Sequence, residues 1–81
     1  MKWVDIPEVK SIVDGGWGAK DGKWQFVILY IDGVGYSASY KNATIIDGQP
    51  SHRLDNDGQF ESFEDAEAAC DAALKRLNGV S

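Results

Sequence analysis

Apolar residues follow two rhythms along this chain, and each predicts a different element. From Phe63 to Leu77 the spacing is helical. Phe63, Ala66, Cys70, Ala73 and Leu77 fall on one stripe, widened by Ala69 and Leu74. Ser62 stands where an N-cap is needed, with Asp65 three residues on as an imperfect capping-box partner. Glu64, Asp65 and Glu67 occupy the first turns, and Lys75 and Arg76 the last, which suits the helix dipole. Asn78-Gly79 supplies a left-handed stop. The small residues of the stripe allow the helix to lie close against a sheet.

Upstream the pattern is that of short strands. Trp24–Ile31 is rich in β-branched and aromatic residues and is bounded by Gly22 and Asp32-Gly33. Val34–Tyr40 is expected to return antiparallel to it. Five Asp-Gly pairs, at Asp14, Asp21, Asp32, Asp47 and Asp57, punctuate the sequence. Asp-Gly favours turns because both residues tolerate positive φ, so the five pairs predict a meander. Thr44–Ile46 and Ser51–Leu54 are expected to add one or two strands, and Gln59–Glu61 a last short strand or the entry to the helix. Trp3–Asp14 reads either as two short strands, Trp3–Ile6 and Val9–Val13, or as a helical turn starting at Pro7. Residues 15–19 (Gly-Gly-Trp-Gly-Ala) read as a flexible loop. Its Trp17 is either a plug folded back on the core or an exposed anchor, since tryptophan is enriched at interface hot spots. The whole is a single α+β domain over residues 1–81: an antiparallel sheet of three to five short strands packed on one C-terminal helix.

The two strands around Asp32-Gly33 raise a question of faces. A two-residue turn sets Ile31 opposite Val34, Leu29 opposite Tyr36 and Val27 opposite Ala38. That face would be the core under the helix. The other face would then hold Trp24, Phe26, Ile28 and Tyr30 and would need a cover from the N-terminal segment, a second subunit or a partner. These four residues are therefore the candidate self-association surface. A three-residue loop would exchange the two faces.

Charge adds a direction to this picture. The net charge is −5. Between Asp55 and Asp71 stand seven carboxylates and no lysine or arginine. A negative surface repels nucleic acid and attracts basic protein surfaces. Asp55, Asp57, Glu61, Glu64, Glu67 and Asp71, with Trp17, are the candidate partner-binding residues. Direct nucleic-acid binding is not expected, because basic charge supplies the non-specific affinity.

Catalytic machinery is not expected. There is one cysteine and one histidine. His52 has no nucleophile elbow near it, and Cys70 lies on the apolar helix stripe, where a cysteine is an inert core residue. Neither a disulfide within the chain nor a cysteine zinc site can be built. The segment Arg53–Glu64 aligns with a calcium loop if Gly58 is the invariant glycine, but Arg53 then takes the first ligand position. Residues 18–23 differ from a phosphate loop in spacing and lead into a strand. No metal or cofactor is expected. No apolar run approaches the length of a membrane span, and the first residues have no signal-peptide core. The expected compartment is the cytoplasm, or the host cytoplasm for a phage-encoded chain.

A three-stranded meander followed by an alanine-rich helix, joined by Gly-Gln-Phe-Glu-Ser-Phe-Glu-Asp-Ala-Glu-Ala-Ala, resembles the arm-type DNA-binding domains of tyrosine recombinases and the plant AP2 domains. The resemblance spans Lys23 to Leu77 and implies a small module that reads DNA with its sheet. Where those families carry basic sheet residues, this chain places Phe26, Ile28, Tyr30, Ser37 and Ser39. The main expectation is a non-enzymatic, acidic protein-binding module. Its narrower form is a phage-encoded stoichiometric inhibitor, similar to anti-CRISPR proteins, that occludes a basic nucleic-acid-binding surface. The alternative is a nucleic-acid-binding module using the sheet.

Overall fold

The computed structural model describes residues 2–43, 52–54 and 60–79. Five strands form one antiparallel sheet in sequence order: β1 (Val4–Asp5), β2 (Gly15–Asp21), β3 (Trp24–Ile31), β4 (Gly35–Asn42) and β5 (His52–Arg53). A 3₁₀ turn, Pro7–Ser11, links β1 to β2, and the helix α1 spans Phe63–Leu77. The α+β architecture is the one the two rhythms predict.

The helix forms for the reasons its sequence gives. The Ser62 hydroxyl accepts the Asp65 N–H at 3.2 Å. At the far end the Asn78 N–H reaches the Leu74 carbonyl at 3.0 Å, and Gly79 sits at φ +77. Ala66, Cys70 and Ala73 are buried, with Phe63, Leu74 and Leu77 partly buried around them.

The strand faces correct one expectation. β3 and β4 pair Ile31 with Gly35, Tyr30 with Tyr36, Ile28 with Ala38 and Phe26 with Tyr40. The connection is therefore three residues, Asp32-Gly33-Val34. It closes through the Val34 N–H to the Ile31 carbonyl at 3.0 Å, with Gly33 at φ +82 and Gly35 at +125. Two glycines in the left-handed region let the chain absorb the extra residue. One more loop residue than Asp-Gly alone would use exchanges the two faces. Phe26 and Ile28 are fully buried beside Ala38, Ala66, Cys70 and Ala73, and Trp24 and Tyr36 pack against that cluster. Trp24, Phe26, Ile28 and Tyr30 thus lie on the helix-covered side. Val27, Leu29 and Ile31 take the other side, half-buried.

A second correction concerns Gly15–Ala19, which is strand and not loop. It pairs along its length with β3, from Gly15 opposite Tyr30 to Asp21 opposite Trp24. The glycines reflect close packing. A Cβ on Gly16 would lie 2.4 Å from Val9 Cγ2 and 3.1 Å from Leu29 Cδ2, and one on Gly18 would lie 3.0 Å from Ile6 Cδ1. The N-terminal segment lies across these positions on the side opposite the helix. Asp14-Gly15 accordingly opens a strand, while Asp21-Gly22 and Asp32-Gly33 make turns. Of the two readings of the N-terminus, the helical turn at Pro7 holds for Pro7–Ser11 and a strand for Val4–Asp5. Phe60 forms a bridge with Tyr36 through hydrogen bonds of 2.8 and 2.9 Å, leading the chain into the helix. Thr44–Ile46 and the Asp47-Gly48 and Asp57-Gly58 pairs lie outside the described residues.

Candidate interaction surfaces

Trp17 is a plug. Its ring meets Phe63 edge-on at 5.1 Å and Tyr36 at 6.2 Å. Its ring also occupies the space a side chain on Gly15 would need, 3.3 Å from that Cβ position. Trp3 meets Phe63 from the other side at 5.7 Å. The N-terminal end of the helix is thus seated in aromatic rings, which prefer such edge-to-face contacts. This uses Trp17 in the fold.

The acidic residues divide. Glu61, Glu64 and Asp71 are exposed and Glu67 is half-buried, whereas Asp55 and Asp57 lie outside the described residues. Glu64, Glu67 and Asp71 recur at helical spacings of three and four, so they share one side of α1. Cys70 and Ala73, beside them on the helix, are buried in the core. The carboxylates are also felt inside. Burial pushes the Cys70 thiol from its ordinary 9.0 up to about 12, and the charges of Asp71 and Glu67 add to the shift. A thiol held in that form is a poor nucleophile.

The corrected register brings together a set of residues that the sequence reading did not join. Lys20 pairs with Gln25, and Gln25 with Lys41. Directly paired residues share a face, and this is the face without the helix. Val4 pairs with Gly18, and Lys2 and Lys20 line one hollow beside that pair. In the next row Ser39 pairs with Arg53. The face opposite the helix is therefore cationic along one end and aliphatic, through Val27, Leu29 and Ile31, along the other. The available signal was Gln25. It is the one polar residue of β3 and marks the open side.

At the turn end of the sheet, the Tyr30 hydroxyl donates to Asp32 at 3.1 Å, and the Asp32 N–H donates to Asp14 Oδ2 at 2.6 Å. The bond to Asp32 raises the Tyr30 phenol above its usual 10.0. His52 is exposed, with its ring 5.1 Å from that of Tyr40. Among the described residues no group of three or more His, Cys, Asp or Glu side chains is placed to hold a metal. Among the described residues no helix is long and apolar enough to cross a membrane. Comparison with known protein families, with curated proteins and with solved structures finds no match to this chain.

Proposed function

We propose that this chain is a non-enzymatic protein-binding module that sets the outer face of α1 against a basic partner surface. The observation that carries this reading is the sorting of charge. Glu61, Glu64 and Asp71 are exposed at the helix entry and along its outer side, ahead of Lys75 and Arg76 in the last turn. From Glu61 to Asp71 the chain carries carboxylates and no lysine or arginine, and a surface of one sign attracts its opposite. A rigid helix also presents its charges at fixed spacing, so little conformational entropy is lost on contact. In its narrower form the module is a stoichiometric inhibitor, acting by occluding a basic, nucleic-acid-binding surface.

The test begins with capture of a partner from nuclease-treated lysate, followed by titration of that partner with the Glu64→Lys/Asp71→Lys variant. Slower association at low salt is expected, because rim charges act mostly on the encounter rate. Unchanged association would remove the support for the acidic face.

A second reading is favoured by the row Lys20, Gln25 and Lys41, with Lys2 beside it. It makes the open sheet face a contact for nucleic-acid phosphates. Capture that disappears on nuclease treatment would select this reading. So would micromolar or tighter duplex affinity that falls steeply with salt and is lost in Lys20→Glu/Lys41→Glu.

A further inference from the structure

A shallow pocket of about 400 Å³ opens on the face of the sheet opposite the helix, where β1 meets β2; Lys2, Val4, Ile6, Gly18, Lys20 and Gln25 line it. Gly18 lies at its floor, where Ile6 packs close: Ile6 Cδ1 stands 3.0 Å from where a Cβ would be. Val4, 61% exposed, forms an apolar wall. The volume lies in the range of ligand sites, roughly 300–1,000 Å³.

The rim is cationic. Lys2 and Lys20 both line the pocket, and Lys20 pairs with Gln25. Like charges brought close together repel. No carboxylate stands in this row among the described residues. Two ammonium groups therefore flank an apolar hollow in a chain whose net charge is −5. An occupant that satisfies both features brings a negative group for the lysines and an apolar body for Val4 and Ile6.

We propose that this pocket binds a small organic anion: an apolar or aromatic body carrying one carboxylate, sulfonate or phosphate. The body lies against Val4 and Ile6. The head sits between the Lys2 and Lys20 ammonium groups, in charge-assisted hydrogen bonds, with the Gln25 amide as a further donor. Lys41 is one strand beyond Gln25 and lines no part of the pocket. It separates a small ligand, which does not need it, from an extended polyanion, which would.

The probe is anilinonaphthalene sulfonate, titrated by fluorescence and mapped by amide NMR shifts, beside its uncharged analogue phenylnaphthylamine. Shift changes are expected at residues 2–6, 18–20 and 25. Lys2→Glu/Lys20→Glu should weaken the sulfonate about ten-fold or more, while the uncharged analogue changes by less than about two-fold. Lys41→Glu should change neither by more than about two-fold. Gly18→Ala should weaken both probes by displacing Ile6; if it disturbs the fold, the lysine variants, checked by circular dichroism, decide alone. Three results would overturn the proposal: shift changes centred on the helix face, an unchanged affinity in Lys2→Glu/Lys20→Glu, or equal weakening by Lys41→Glu. The last would mark a track for a polyanion.

Discussion

The two faces of the sheet are built on opposite principles. Beneath the helix, large rings and small residues interlock: Phe26 and Ile28 against Ala66, Cys70 and Ala73, with Trp3 and Trp17 closing over Phe63. On the other side, among the described residues, the cover is the N-terminal segment, resting on Gly16 and Gly18, and the strand residues beyond it are half-buried or exposed. In so small a chain one dry face must supply most of the stability, because a domain of this size buries a limited share of its surface. The other face is left to carry charge. The difference teaches that apolar content along β3 does not by itself tell core from surface: both sides of that strand are apolar, and the polar residues beside it decide.

Truncation on each face should break this comparison if it is wrong. Phe26→Ala is expected to cost about 3–5 kcal/mol, since a fully buried ring leaves a cavity that the packed helix cannot fill. Val27→Ala, one residue away on the open face, should cost less than about 1 kcal/mol. Urea denaturation of both variants measures the difference. Equal losses would mean that the open face is as well covered as the other.

The next effect tests the N-terminal cover. Gly16→Val should lose about 1–3 kcal/mol by pushing Val9 and Leu29 aside, while circular dichroism shows the helix retained. Hydrogen exchange should then speed up in residues 6–13 before it does in β3.

A smaller change is expected from Cys70. Its folded value, about 12, stands above the ordinary 9.0, so the unfolded chain loses the proton first as pH rises. The stabilisation is complete below pH 9 and falls away between about 9 and 12. From pH 8 to 10 the loss should be about 1 kcal/mol, and Cys70→Ala should remove that slope. Thiol reagents should label the folded protein only slowly.

The smallest effect belongs to the surface. Glu64→Lys and Lys20→Glu should each move stability by no more than about 0.5 kcal/mol. A larger shift in either would show that charge on that face helps hold the fold.

Much of this was legible in the sequence. The α1 stripe, its Ser62 cap and its Gly79 stop state the helix outright, because each local preference agrees with the packing. β3 was equally plain. β2 was not, because glycine usually signals freedom, whereas Gly16 and Gly18 serve the close approach of Val9 and Ile6, which only the folded chain reveals. The faces turned on a single residue, Val34, in or out of the loop. Gln25, Lys20 and Lys41 held the answer, but their alignment depends on the register that Val34 sets. Of the candidate site, the carboxylates of α1 could be placed directly, while the lysine row could not.

Among the described residues the sheet begins and ends in strands of two residues, Val4–Asp5 and His52–Arg53. An exposed strand edge invites another chain to pair with it, and a template this short offers few hydrogen bonds. The outer strands bring charged residues to the border as well: Asp5 at one end, Arg53 at the other. A molecule with an apolar, half-open sheet face would otherwise stack into ribbons at high concentration. Short borders of this kind leave a neighbouring chain little backbone to pair with.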